Sequence, residues 1–375
     1  MFPLCARFPV FRKGLMWIGL GCCIMGSLGA SFATKVISPR SSSAPQLIQI
    51  LTRGRMQTWH LIATQGFLYG FGTMLLYAPI YIFLNEWFQK RRGLAMGLMY
   101  LYIPLLLAIP CALKLLRFSG TGVSGVAFPF LFERLLMRYD YPTTLRIWTF
   151  VHIVLIPVIY IARGRLPLAQ VTSFRQPDFS FLKSSAFQFF AASNLIQGLG
   201  YFLPVIFLPS YAAALNLPAL SSTVLLSLLN MATIFGQIVL GLASDHMDVH
   251  IPLFFSSVAS GLSVYLLWGL SKSFAPLVMF ALIYGMAAGG YSVLWSRFST
   301  RVVGEDSAMM MTLFGLFSFG RGVGSILSGP ISSVLMDGPE SIDRYAIGKY
   351  EKMVIFVGAT LMVSSAGFGG KFLKK

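Results

Sequence analysis

The stretch Phe274 to Ser296, FAPLVMFALIYGMAAGGYSVLWS, runs for 23 residues without a charge. A helix rises 1.5 Å per residue, so such a run covers the roughly 30 Å of a bilayer's hydrocarbon core. Working outward, comparable apolar runs lie near 14 to 34, 61 to 84, 94 to 113, 120 to 137, 144 to 162, 187 to 209, 224 to 243, 252 to 271, 309 to 335 and 353 to 369. The first follows Arg7, Arg12 and Lys13 as a secretory signal would, but its apolar run exceeds the roughly 7 to 15 residues of a signal core. It reads as a span, and the chain as an all-α membrane protein.

Composition points the same way. Of 375 residues 56% are hydrophobic and 11% charged, where a soluble domain carries about a quarter charged residues. The net charge of +17 does not imply nucleic acid, because the basic residues form no dense face. Anionic lipid is the partner that the excess fits. Cys5, Cys22, Cys23 and Cys111 show no metal or disulfide spacing, and His246 and His250 lack the glutamate of a zinc-protease helix. With no cofactor motif either, the chain is expected to be neither an enzyme nor a metal protein.

Basic clusters orient the spans. Arg7, Arg12 and Lys13, then Lys90, Arg91 and Arg92, then Arg163, Arg165, Arg175 and Lys183, and finally Lys371, Lys374 and Lys375 are assigned to the cytoplasm by the positive-inside rule. Residues 163 to 186 form a polar linker between two halves. Two segments interrupt the order: 37 to 58, with Arg40, Arg53 and Arg55 in a stretch assigned to the outside, and 101 to 118, an extra apolar run. Counting the latter gives eleven spans; omitting it gives ten and returns both ends to the basic side. Both segments are read as insertions of intron origin.

The run Gln65 to Gly70, then Tyr77-Ala78-Pro79, then Glu86-Trp87-Phe88-Gln89-Lys90-Arg91-Arg92-Gly93, resembles the fungal monocarboxylate-porter-like branch of the major facilitator superfamily. In the second half the matching pattern is Phe235-Gly236-Gln237, Gly241 to Asp245, Gly320-Arg321-Gly322-Val323-Gly324 and Ser328-Gly329-Pro330. The resemblance implies a helical bundle of two six-helix lobes. On it, residues 1–162 are an N-terminal lobe that starts before the family's third helix, 163–186 the cytoplasmic linker, and 187–375 a six-helix C-terminal lobe. It also implies secondary active transport of a small organic solute, a monocarboxylate among the options, by alternating access in the plasma or vacuolar membrane. Proton coupling, as in symport, stays open, since Gln237 stands where the family often has an arginine. A transport-inactive homologue, a membrane receptor or scaffold, and a membrane enzyme are the competing readings.

In the family the fourth, seventh and tenth helices line the cavity. There Gln65 and Tyr69, then Asn194, Gln197 and Tyr201, then Tyr284, Tyr291 and Trp295 each fall on one helical face. These residues are candidate substrate contacts, against the alternative of hydrogen bonding between helices. Arg321 joins them as a binder of an anionic group, an internally paired charge, or a side chain reaching toward headgroups. Glu86, Lys90, Arg91 and Arg92 at one helix end, and Asp245 at another, are candidate gating residues that pair across helices. Glycines four apart, Gly66 and Gly70, Gly93 and Gly97, Gly285 and Gly289, Gly320 and Gly324, are expected to open faces for close helix packing.

Overall fold

The computed structural model describes residues 11–33, 59–87, 120–154, 156, 179–304, 307–336 and 345–371. The expected insertions at 37–58 and 101–118, the basic run Lys90, Arg91 and Arg92, and Gly93 and Gly97 lie outside the described residues. Among those described, regular structure is helical and no strand occurs. Among the described residues six helices are long and apolar enough to cross a membrane: Phe11–Ala30, Phe187–Ala214, Leu220–His246, His250–Trp268, Phe274–Val303 and Glu351–Gly369.

The chain divides into two compact units, Met1–Gln89 with Leu131–Phe174, and Lys90–Phe130 with Arg175–Lys375. In the first, α1 (Phe11–Ala30) crosses α2 (Tyr69–Trp87), which a π-helical stretch (Ile62–Leu68) precedes. Lipid tails supply no hydrophobic drive between helices, so contact depends on backbones that can approach closely. A Cβ on Gly19 would stand 2.8 Å from the Gly72 carbonyl oxygen, and one on Gly72 would stand 2.7 Å from that of Gly19. The crossing therefore admits only glycine at both positions. It does not use Gly66 and Gly70: among the described residues nothing lies within 4 Å of a Cβ on Gly70, and only Ile62, on the same helix, approaches one on Gly66.

The first unit also holds α4 (Tyr141–Val154) and the end of α3 (Gly120–Arg138), where Phe132 packs on Trp148 at 5.1 Å. Thr149 on α4 donates to the Ser27 hydroxyl on α1 at 3.1 Å, a polar tie where no water competes.

In the second unit α5 (Ser185–Tyr201) and α6 (Leu203–Ala214) form one rod bent at Phe202, where Pro204 removes a backbone donor. α7 (Ala219–His246) follows, then α8 (His250–Ser263), α9 (Phe274–Gly289) running through a 3-10 turn into α10 (Leu294–Val303), α11 (Ser307–Leu335) and α12 (Glu351–Ser364). The core centres on Trp268, Tyr211, Phe280, Tyr284 and Val357, all buried. Gly285 and Gly289 both face α7, against Leu229 and Thr233, as their spacing predicts.

Candidate functional site

α11 brings the decisive side chain to the middle of the second unit. Arg321 lies 14 residues from each end of the 29-residue helix, or about 21 Å of rise either way. So far from either helix end, of its three readings the excursion to the surface is the one this position disfavours. It is 8% exposed, and no ion pair forms on it among the described residues. Aromatic rings surround it instead. The guanidinium carbon stands 3.7 Å from the ring centre of Tyr201, 5.5 Å from Trp295 and 5.7 Å from Phe202. Cation–π attraction offsets part of the desolvation, but rings accept no conventional hydrogen bond, and the Nε–H has no partner among the described residues.

Neighbouring polar groups share that condition. Gln197, 1% exposed, has neither amide atom hydrogen bonded among the described residues. Asn194 donates to the Phe317 carbonyl at 2.7 Å, while its own Oδ1 and the buried Trp295 indole N–H have no partner among the described residues. A buried polar atom without a partner costs about 1–3 kcal/mol, so these four side chains hold unused hydrogen-bonding capacity among the described residues. The helix crossing brings them together: a Cβ on Gly198 would meet the Arg321 carbonyl oxygen at 2.9 Å, and one on Gly324 the Leu195 carbonyl oxygen at 2.7 Å. Thus α5 and α11 touch along their backbones at the level of the arginine.

The remaining expected contacts divide. Tyr284 donates to the Tyr201 carbonyl at 2.8 Å, and the Tyr291 hydroxyl pairs with Ser193 at 3.0 Å, so both hydroxyls already hold protein partners. In the first unit Gln65 is exposed, while Tyr69 is half-buried with its hydroxyl 3.3 Å from His152 Nε2. His152 Nδ1 lies 2.9 Å from the Trp148 carbonyl and donates to it, which leaves Nε2 to accept from Tyr69.

At one end of the second unit sits a contrasting cluster. Asp245, one residue before the end of α7, faces Arg297 on α10, whose Nε donates to Oδ1 at 3.0 Å while Nη2 reaches the same oxygen. One turn on, Arg301 pairs with Asp248 at 3.3 Å. A carboxylate at a helix C-terminus opposes the helix dipole, and the arginine offsets that repulsion. Glu86 stands at the end of α2, next to Trp87.

The sequence matches the Major Facilitator Superfamily over residues 3–329. The chain belongs to that superfamily. Among relatives in the superfamily, the MFS-type transporter pynF of Aspergillus niger is 24% identical over 93% of this chain and 76% of its own length. Monocarboxylate transporter 13 of Rattus norvegicus is 24% identical over 96% and 80%. The chain spans under two thirds of three further fungal relatives, 59%, 64% and 63% of their lengths; the first is an agnestins efflux protein of Paecilomyces divaricatus, 27% identical over 73% of this chain. A bacterial homologue of the iron transporter ferroportin, in an outward-facing state, superposes with a TM-score of 0.60 at 10% identity, covering 100% of this chain and 87% of that one, which shows the fold alone. The chain is thus a multi-pass membrane protein of a transporter superfamily.

Sequence reasoning missed four partners in this superfamily member. Arg297 and Arg301, spaced i, i+4, carried a legible signal as two charges on one face of a span's end. Phe202 and His152 carried none, because Tyr69 and His152 meet across 83 residues of chain.

Proposed function

We propose that this chain is a secondary active carrier of a small organic anion, working by alternating access in the plasma or vacuolar membrane. The observation that carries the reading is Arg321, a permanent charge at the centre of a membrane-length helix, with no carboxylate on it among the described residues. A cargo that brings its own negative charge completes that site, with Gln197, Asn194 and Trp295 hydrogen bonding its polar atoms. The names of relatives, among them an efflux protein and a monocarboxylate transporter, fit the same reading. In this reading residues 1–162 and 187–375 belong to the two lobes, 163–186 is a cytoplasmic linker, and the cargo is carried without chemical change. Proton symport is compatible with it.

Uptake of a labelled monocarboxylate into proteoliposomes tests the role of Arg321. Hydrogen bonds to a charged group contribute about 1.5–3 kcal/mol, so Arg321→Gln should lower uptake by roughly tenfold or more while the protein still inserts. Arg321→Lys keeps the charge without the fork and should retain part of the rate. Uptake at the wild-type rate by well-inserted Arg321→Gln would overturn the assignment.

A further inference from the structure

Resting on that reading, we infer that the anion accepted at Arg321 carries a flat conjugated ring. Tyr201, Trp295 and Phe202 surround the guanidinium with three aromatic faces or edges, the nearest ring centre at 3.7 Å. The Tyr201 ring centre lies nearest the guanidinium carbon, and an anionic oxygen binds along the guanidinium edge, where the N–H bonds point. The body of the guest attached to that oxygen then lies among the same rings.

Two further features select its shape. Trp295 is held edge-on against Phe314 at 5.3 Å and 72°, which fixes the plane that its indole offers. Around Arg321 the polar atoms left without partners among the described residues are few: the Arg321 Nε–H, the Trp295 N–H, the Gln197 amide and the Asn194 Oδ1. That set offers N–H donors for one anionic head and two carbonyl acceptors for one or two O–H or N–H groups of the guest, whereas a sugar or polyol with more hydroxyls would bury some of them without partners. A flat ring gains from offset or edge contact with neighbouring rings beyond the area it buries, and a saturated ring of equal size does not. The site therefore suits an aromatic or otherwise conjugated organic acid over an aliphatic one.

Three probes of matched size separate charge from flatness: benzoate, cyclohexanecarboxylate and benzamide, each titrated into the purified protein in detergent by isothermal calorimetry. Benzoate should bind about tenfold more tightly than cyclohexanecarboxylate, the advantage expected of one or two aromatic pairs. Benzamide, with the ring but no charge, should bind more weakly than benzoate by a similar factor. Tyr201→Leu should narrow the gap between benzoate and cyclohexanecarboxylate and preserve the gap between benzoate and benzamide. Equal affinity for the two carboxylates would overturn the ring inference and leave the anion reading standing. Equal affinity for benzoate and benzamide would overturn the anion reading itself. Failure of all three to bind up to their solubility limits would overturn the inference as well.

Discussion

Arg297 and Arg321 belong to the same compact unit, and their surroundings differ in nearly every respect. Arg297 is 42% exposed by side chain and grips Asp245 with two nitrogens. Arg321 is buried, holds no carboxylate among the described residues, and rests on the ring of Tyr201. Water screens the first pair, so its geometry says little about energy. The second is buried among rings, and a buried charge is costly unless something matches it; on the proposed reading the guest does so.

The largest expected effect comes from erasing that difference. Gln197→Glu keeps the side chain's shape and gives the buried cluster around Arg321 the carboxylate that Arg297 already has. Two unit charges attract by roughly 4 kcal/mol at about 4 Å with an effective dielectric constant of about 20, enough to compete with an incoming anion. Anion uptake should fall to background, while the amount of folded protein recovered by size exclusion equals or exceeds wild type. Retained uptake would mean that Gln197 and Arg321 do not serve one guest.

A smaller effect follows from moving the arginine without touching its charge. Gly324→Val pushes a side chain into the Leu195 carbonyl and the Gly198 backbone, and overpacking of this kind costs about 1–3 kcal/mol. The melting temperature in detergent should drop by several degrees and anion affinity with it, while the Asp245–Arg297 pair stays as it is. Gly322→Ala is the control, since nothing lies within 4 Å of a Cβ there among the described residues, and alanine favours the helix. A similar drop in both variants would deny the crossing its special role.

How far these features were legible depended on the range of the signal. Membrane spans are local statements about about 20 residues, and the sequence shows them directly. Arg321 was equally plain, because one charge in an apolar run stands out. Its rings were partly legible: Tyr201 and Trp295 came from helical periodicity, but Phe202 lies beside Tyr201 at a helix break and shares no face with it. What periodicity could not show is which polar groups already have partners. Tyr284 and Tyr291 read like Gln197, yet their hydroxyls end on Tyr201 and Ser193, on a helix some 80 to 100 residues earlier. Likewise Gly72, and not Gly66 or Gly70, packs at the α1 crossing, because which face of the helix meets its neighbour is a matter of tertiary packing that a four-residue glycine spacing does not encode.

The smallest expected effect on stability belongs to the exposed pair, and it sharpens the comparison most. Asp245→Asn removes the carboxylate that Arg297 holds; exposed pairs contribute about 0.2–1 kcal/mol, so the melting temperature should shift by no more than a few degrees. Salt should abolish even that shift, because the screening length falls from about 10 Å at 0.1 M to about 3 Å at 1 M. Transport is a separate readout. If the link between the ends of α7 and α10 gates a conformational step, Asp245→Asn alters turnover several-fold at constant substrate affinity, since the pair touches no cargo. Exchanging the charges in the double variant Asp245→Arg with Arg297→Asp should restore turnover where either single reversal impairs it. Wild-type turnover in Asp245→Asn, at low and high salt alike, would reduce the pair to a surface salt bridge and leave Arg321 as the arginine whose surroundings bear on function.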